Sequence, residues 1–149
     1  TLKLYGFQVS PPSNLVEATL KHLGVEYEFV ETHPMFDSKT EAYLKINPEG
    51  KVPAIVHGDF VLNESIAISR YVAKISGDKE FYPHEDFQKC GTVDSLIDYD
   101  VGTFRKGVQT YIEEVIYAHM FRGGPAPTEE RKAELVKGLE DSQGLIAAI

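Results

Sequence analysis

The middle of the chain, residues 44–68, has the sequence LKINPEGKVPAIVHGDFVLNESIAI. Two short runs of strand-forming residues, 53–56 and 60–62, flank residues 57–59, whose glycine favours a tight turn. An Asn-Pro pair precedes the first run and is typical of a turn. Residues 63–65 are polar and suit the start of a helix. This stretch therefore predicts a β-hairpin that leads directly into a helix.

The N-terminal part of the chain predicts a strand, a helix and a second strand. Residues 2–6 alternate apolar and other side chains, and residues 27–30 are rich in strand formers. Between them, two prolines precede a run of apolar residues at helical spacing. A helical crossover favours parallel pairing of the two strands. We therefore predict an α/β domain with a mixed sheet over residues 1–76, with a further short helix at about residues 39–46.

The second half of the chain has a different pattern. Residues 77–86 mix polar residues with a proline and are typical of a linker. From residue 87 to about residue 121 there is no proline, and apolar residues recur at helical spacing, which predicts one long helix. A stretch rich in Gly and Pro ends this helix, and another helix follows. Residues 87–149 therefore predict an all-α unit, which we expect to be incomplete because the apolar segment 144–149 has no stop signal.

The composition limits the kinds of partner. Because 15 Lys and Arg stand against 23 Asp and Glu, the formal net charge is −8, which disfavours nucleic acid as a partner. No apolar run of about 18 residues could span a membrane, and no secretory signal begins the chain, so we expect a cytoplasmic protein. The five histidines and the single cysteine, Cys90, lack metal-ligand spacing, and we expect no bound metal.

Two serines, Ser10 and Ser13, lie at the junction of the first strand and the first helix. A redox Cys-x-x-Cys motif would occupy such a junction. Serine cannot exchange disulfides, but its hydroxyl can donate a hydrogen bond to a thiolate, and the helix N-terminus lowers the pKa of a nearby thiol. The alternative is that Ser10 is an ordinary N-cap. The sequence leaves both interpretations open.

Val52 and Pro53 stand directly before the predicted hairpin. A cis bond between them would turn the N–H and C=O of Val52 outward, where an extended peptide could pair with them as an added strand does. The alternative is an ordinary trans X-Pro turn, which is the commoner form.

Three further residues are candidates for holding carboxylates. Ser65 lies at the start of the third predicted helix, where free backbone amides and the serine hydroxyl favour an anion, although simple capping is the alternative. Lys39 and Lys51 are expected near the same edge of the domain and could hold a second carboxylate, unless they are ordinary surface lysines.

Six short segments of the chain form a recognisable set. They are Leu4-Tyr5-Gly6, Ser10-x-x-Ser13, Gly24, Leu44-Lys45-Ile46-Asn47-Pro48, Lys51-Val52-Pro53-Ala54 and Glu64-Ser65-x-Ala67-Ile68. In order and spacing they resemble the serine-type glutathione transferases, especially the theta, phi and delta classes. The segments span the whole predicted α/β domain. The resemblance implies a thioredoxin-like N-terminal domain followed by an all-helical domain that is truncated at its C-terminal end here.

The resemblance implies a role for each matching residue. Ser10 would be the catalytic serine that hydrogen-bonds the glutathione sulfur. Val52, before a cis Pro53, would pair with the cysteinyl backbone of glutathione. Glu64 and Ser65 would hold the γ-glutamyl carboxylate.

Lys51, together with Lys39, would approach the glycyl carboxylate. The implied activity is attack of the glutathione thiolate on a small electrophile, with glutathione as cosubstrate and no other cofactor. The resemblance also implies a homodimer formed through the third and fourth helices.

Three features of the sequence bear on this resemblance. Asn14 stands where many of these enzymes carry arginine, and Ser38 replaces a histidine found in some of them before the lysine. Tyr5 is an alternative to Ser10, because other transferase classes activate the thiol with a tyrosine near the end of the first strand. The spacing from Ser10 to Gly24 favours the serine interpretation.

Two other functions are considered. A glutathione-transferase-like domain can serve as a non-catalytic binding or assembly module, and the retained Ser10 favours catalysis over that alternative. A glutaredoxin-like oxidoreductase would need a cysteine near the first helix. Because Cys90 lies far beyond that helix in sequence, we reject this possibility.

Overall fold

The computed structural model describes residues 1–118 and 123–146. The chain divides into two compact units, Thr1–Cys90 and Gly91–Ile149. Within the described ranges, none of the helices is both long enough and apolar enough to cross a membrane.

The first unit contains the predicted strands and helices. In chain order they are β1 (Leu2–Gly6), α1 (Pro11–His22), β2 (Tyr27–Glu31), a 3-10 helix (Asp37–Lys39), α2 (Glu41–Leu44), β3 (Ala54–His57), β4 (Phe60–Asn63) and α3 (Ser65–Ser76). One prediction differs in detail, because the helix expected at about 39–46 is split in two. Thr40 is extended (ψ 148°) and begins α2 as its N-cap, accepting a hydrogen bond from the Tyr43 amide through its hydroxyl.

The four strands form a mixed sheet in the order β2-β1-β3-β4. β1 pairs with β2 in parallel, whereas β1 with β3 and β3 with β4 are antiparallel. The hairpin closes through Gly58 and Asp59, and Gly58 has a φ of +62°, a value that glycine adopts without a steric penalty. The predicted mixed sheet is confirmed, and its arrangement with the helices is thioredoxin-like.

The core lies between one face of the sheet and the helices α1 and α3. It is built from Leu2, Leu4, Val16, Leu20, Ile55, Ile68 and Val72, all buried. Because successive side chains of a strand point to opposite faces of the sheet, Leu4 faces the core and Tyr5 faces the other side. The Tyr5 ring contacts the Tyr43 ring of α2, with 6.0 Å between centroids. Helix α2 therefore lies on the other face of the sheet.

The segment after α3 contacts α3 through a buried aromatic side chain. The Tyr82 ring is buried, and the Lys74 ammonium of α3 lies 5.8 Å from its centroid. The Asp78 carboxylate accepts hydrogen bonds from the amides of Glu80 and Phe81, both at 2.8 Å. These contacts order residues 78–82 as they leave α3.

The second unit is helical, as predicted. Its elements are α4 (Phe87–Tyr99), which begins in the first unit, a π-helical segment (Asp100–Phe104), α5 (Arg105–Tyr111), a second π-helical segment (Ile112–Tyr117) and α6 (Glu129–Ile146). The long helix predicted from residue 87 is therefore interrupted by two π-helical segments. Its predicted last residues, 119–122, lie outside the described residues.

Helix α6 begins where the sequence predicts. The Thr128 hydroxyl accepts a hydrogen bond from the Arg131 amide at 3.2 Å, which is an N-cap interaction. The Arg131 guanidinium also donates to both carboxylate oxygens of Glu114, at 2.8 and 2.9 Å, and so joins α6 to the second π-helical segment. The end of the apolar segment that suggested an incomplete unit, residues 147–149, lies outside the described residues.

Candidate functional site

The strand register brings the predicted site residues to one edge of the sheet. β1 ends at Gly6, next to the start of β3, because Tyr5 is paired with Ala54. Ala54 is in turn paired with Asn63, the last residue of β4. The segments that follow β1 and β4 and precede β3 therefore meet at this edge. They contain Ser10, Val52–Pro53 and Glu64–Ser65.

Ser10 lies directly before α1, and its hydroxyl has no partner in the described part of the chain. Its amide donates to the carbonyl of Phe7 at 2.8 Å, and its carbonyl accepts from the amide of Asn14 at 3.0 Å. Its hydroxyl makes no capping hydrogen bond. Pro11 and Pro12 fill the first two helical positions, and proline has no N–H to be capped. Ser10 therefore occupies the N-cap position of α1, but its half-buried side chain makes no capping bond and has no partner among the described residues.

Ser13 has a structural role instead. Its side chain is only 1% exposed, and its hydroxyl accepts a hydrogen bond from the Phe7 amide at 3.2 Å. This bond closes the loop between β1 and α1. Of the two serines in the Ser-x-x-Ser motif, Ser13 therefore holds the loop, whereas Ser10 is available to a ligand.

These different roles predict different effects on stability. We expect Ser13→Ala to lower the free energy of unfolding by about 1–2 kcal/mol, because the part-buried Phe7 amide loses its acceptor. Ser10→Ala should change it by less than about 0.5 kcal/mol, because no capping bond is lost. Denaturant unfolding followed by circular dichroism would measure both. Equal losses for the two variants would contradict the assignment of separate roles.

The Val52–Pro53 bond is cis, as the resemblance implies. Neither the N–H nor the C=O of Val52 has a hydrogen-bond partner among the described residues. The carbonyl of the preceding residue, Lys51, accepts two hydrogen bonds, from the Tyr43 hydroxyl at 2.6 Å and from the Asn47 amide at 2.8 Å. The strand-like peptide group of Val52 is thus available at the edge, next to a firmly held carbonyl.

The structure brings Lys39 close to this segment by way of Gly50. Its ammonium donates to the Gly50 carbonyl at 2.6 Å, and because an ammonium has three donors, two remain for a carboxylate. The neighbouring Ser38 is fully buried, with its hydroxyl 2.8 Å from the same Gly50 carbonyl and 2.7 Å from that of Pro34. Ser38 and Lys39 therefore tie the loop before α2 to the segment that carries Val52.

Lys51 points into solvent, with 73% of its side chain exposed. Its ammonium pairs with the Glu49 carboxylate at 2.7 Å, and this hydrogen bond, with a smaller contribution from the charge of Glu64, raises the pKa of Lys51. An exposed ion pair of this kind contributes little and is screened by salt. The ammonium can therefore leave Glu49 for a bound carboxylate at small cost.

Glu64 and Ser65 form the junction between β4 and α3. Glu64 has a φ of +68°, the only positive value of a non-glycine residue within the described ranges. Such a conformation costs about 1–3 kcal/mol and is often found at functional sites. Ser65 is the first residue of α3 and is almost fully buried, and no side chain of the described residues caps this helix. The N-terminus of α3 is therefore open to an anion.

Sequence reasoning missed Tyr43 and Asn47. For Asn47 a partial signal was present, because an asparagine in a turn commonly bonds backbone two residues on, as it does here with the Glu49 amide. For Tyr43, the sequence indicates burial but not the acceptor that its hydroxyl reaches. Within the described ranges, no group of three His, Cys, Asp or Glu residues could hold a metal ion.

Comparison with known sequences identifies relatives of the chain. The family model "Glutathione S-transferase, N-terminal domain" matches residues 4–80. Glutathione S-transferase U2 of Arabidopsis thaliana is 35% identical over 133 residues, which cover 81% of this chain and 58% of that protein. Glutathione S-transferase D6 of Drosophila melanogaster is 29% identical over 136 residues, which cover 90% of this chain and 60% of that protein. The chain thus spans about three-fifths of the length of these relatives.

Solved structures agree with this relationship. A structure of glutathione S-transferase-I bound with lactoylglutathione matches 99% of this chain and 69% of that chain, with a TM-score of 0.87 and 26% identity. Human glutathione S-transferase T1-1 in its apo form matches 97% of this chain and 61% of that chain, with a TM-score of 0.83 and 26% identity. Because the family model covers more than half of the sequence, the chain belongs to the glutathione S-transferase family.

Proposed function

We propose that the chain binds glutathione at the edge formed by Ser10, Val52 and Ser65, and that Ser10 stabilises the glutathione thiolate for attack on a small electrophile. The observation that carries this proposal is that the Ser10 hydroxyl and the peptide N–H and C=O of Val52 have no partner among the described residues, and that both segments lie at the same edge of the sheet. A hydroxyl with no internal partner can donate to sulfur without losing another bond. The helix dipole adds to the stabilisation of the negative charge.

The peptide would bind in an extended form. Its cysteinyl N–H and C=O would pair with the C=O and N–H of Val52 by the bonds that join neighbouring strands. Its γ-glutamyl carboxylate would meet the free amides and hydroxyl at Ser65, with Glu64 beside it. Its glycyl carboxylate would lie near the ammonium groups of Lys39 and Lys51.

The reaction would use the thiolate as the nucleophile. The thiol proton leaves to solvent, and the sulfur then forms a bond to an electrophilic carbon, which either loses its leaving group with the bonding electrons or is protonated after addition. Ser10 itself forms no covalent bond. Its hydroxyl lowers the pKa of the thiol by favouring the charged form.

An apolar surface beside Ser10 supports an apolar electrophile. The ring of His33 contacts that of Phe7 at 4.8 Å and that of Phe36 at 4.7 Å between centroids. Met35 and Phe36 are 72% and 68% exposed, although both are apolar. Phe7 is three residues before Ser10, and its carbonyl accepts the Ser10 amide. The apolar part of a substrate could cover these side chains while its reactive carbon meets the sulfur.

We also propose that the protein is a cytoplasmic homodimer. The support is the resemblance to transferases that pair through their third and fourth helices, together with the exposed apolar side chains of Ile75 on α3 and Phe87 on α4. Light scattering after gel filtration should give twice the mass of the chain. A single species with the mass of one chain would contradict the homodimer.

Binding of glutathione to the full chain, followed by the ultraviolet absorbance of the thiolate, tests the proposed activity. We expect bound glutathione to be largely thiolate at neutral pH, whereas a free thiol has a pKa near 8.5. S-methylglutathione is the matched control, because it has the same backbone but no thiol to ionise. Binding without thiolate would indicate a non-catalytic module, and no binding would overturn the proposal.

A further inference from the structure

Two buried side chains hold the carbonyl of Lys51. The Tyr43 hydroxyl donates to it at 2.6 Å and the Asn47 amide nitrogen Nδ2 donates at 2.8 Å. Tyr43 is 5% exposed and Asn47 is 4% exposed. Burial raises the pKa of Tyr43 to about 12, so the hydroxyl keeps its proton and remains a donor at neutral pH. Both lone pairs of one backbone carbonyl are thus used by side chains that water does not reach.

The two donors are themselves held in place. The side-chain oxygen Oδ1 of Asn47 accepts a hydrogen bond from the backbone amide of Glu49 at 3.1 Å. The backbone amide of Asn47 donates to the backbone carbonyl of Tyr43 at 2.8 Å. The Tyr43 ring contacts the Tyr5 ring of the central strand β1. The pair is therefore anchored to the sheet and to the turn that precedes β3. Movement of the Tyr43 ring would break its contact with Tyr5, and movement of the Asn47 side chain would break its bond with the Glu49 amide.

The geometry of the peptide bond connects this pair to the proposed ligand. The carbonyl of Lys51 and the N–H of Val52 belong to one planar peptide unit, and in a trans unit they point in opposite directions. Two fixed hydrogen bonds to the Lys51 carbonyl therefore set the direction of the Val52 N–H. They also polarise the unit, which makes that N–H a stronger donor.

We propose that Tyr43 and Asn47 are positioning residues that aim the Val52 N–H at the cysteinyl carbonyl of a bound peptide thiol. This inference rests on the proposed function, in which Val52 pairs with the glutathione backbone. Neither side chain is expected to touch the ligand. Their effect passes through the peptide unit between Lys51 and Val52, and it is separate from the effect of Ser10 on the thiol.

The test is Tyr43→Phe, which removes one hydroxyl and keeps the ring. We expect the dissociation constant for glutathione to rise about tenfold, as loss of one aligned hydrogen bond would produce. The pKa of the bound thiol and kcat at saturating glutathione should not change. Tyr27→Phe is the matched control, because it also removes one tyrosine hydroxyl bond, to Glu17 at 2.8 Å, at the opposite edge of the sheet.

A ligand analogue distinguishes an effect on the orientation of the Val52 N–H from a general loss of order in the binding segment. When the amide between the cysteinyl and glycyl residues is replaced by an ester, the cysteinyl carbonyl is a weaker acceptor. If Tyr43 acts through the Val52 N–H, the Tyr43→Phe penalty should shrink to less than about threefold for the ester. Equal penalties for amide and ester, an unchanged affinity for glutathione, or a shifted thiol pKa would each overturn the inference.

A second variant covers the case in which Tyr43→Phe does not fold. Asn47→Asp keeps the Oδ1 acceptor for Glu49 but removes the Nδ2 donor, and the same loss of affinity with the same dependence on the ester is expected. If wild-type protein binds no glutathione, the proposed function fails and the inference fails with it. If wild type binds glutathione and both variants bind it equally well, only the inference fails.

Discussion

Replacing Ser10 by alanine is expected to reduce kcat/KM for conjugation of glutathione about 10²–10³-fold. The Ser10 hydroxyl has no partner among the described residues, so we expect the effect of its removal to fall on the ligand. Without that donor, the thiolate retains only the helix dipole, and the pKa of the bound thiol should rise towards its free value. Steady-state kinetics and the thiolate absorbance of bound glutathione would measure the two effects.

Ser10→Thr is the control for this prediction. It keeps a hydroxyl at the same position, so most of the activity and the low thiol pKa should remain. If Ser10→Ala is as active as wild type while Tyr5→Phe is inactive, the tyrosine near the end of β1 is the activating group instead. We expect Ser10 and not Tyr5 to be the activating group, because the Tyr5 ring is packed against Tyr43 on α2.

Most of the fold follows from local patterns in the sequence. The alternation at residues 2–6, the prolines before α1 and the glycine-containing turn at 58–59 each act over a few residues, and the structure confirms the elements they predict. The break at Thr40 is different, because threonine is tolerated both inside a helix and before one. The hydrogen bond that the Thr40 hydroxyl accepts from the Tyr43 amide shows that Thr40 stands before the helix and not inside it.

The site was less accessible to sequence reasoning than the fold. The positive φ of Glu64 has no sequence signal, because glutamate rarely adopts that conformation and only the surrounding structure can enforce it. The bond from Lys39 to the Gly50 carbonyl likewise depends on how two loops meet. By contrast, Pro11 and Pro12 already argue in the sequence against capping by Ser10, since Pro12 removes one of the two amides that an N-cap side chain can bond.

Gly50→Ala is expected to lower both stability and affinity for glutathione. Gly50 has a φ of +60°, and a Cβ added there would lie 3.0 Å from the Ser38 carbonyl oxygen and 3.0 Å from the Lys39 ammonium nitrogen. The left-handed conformation alone costs about 1–2 kcal/mol for alanine. The lysine can move aside, but the Ser38 carbonyl is backbone next to a fully buried side chain. We therefore expect a total loss of roughly 2–3 kcal/mol in the free energy of unfolding.

Gly58→Ala separates the cost of the left-handed backbone conformation from the cost of the steric contacts made at Gly50. Gly58 has nearly the same φ, +62°, but an added Cβ would meet no atom of the described residues within 4 Å, so only the backbone cost of about 1–2 kcal/mol should appear. Gly58 is in the hairpin turn at the far end of β3 from Val52, and its replacement should leave glutathione affinity unchanged.

Gly50 immediately precedes the Lys51 peptide group, so displacing it moves the Val52 N–H, and affinity should fall more than tenfold. Urea unfolding and calorimetric titration would measure both variants, and equal effects of the two on affinity would show that the segment from Gly50 to Val52 does not position the ligand.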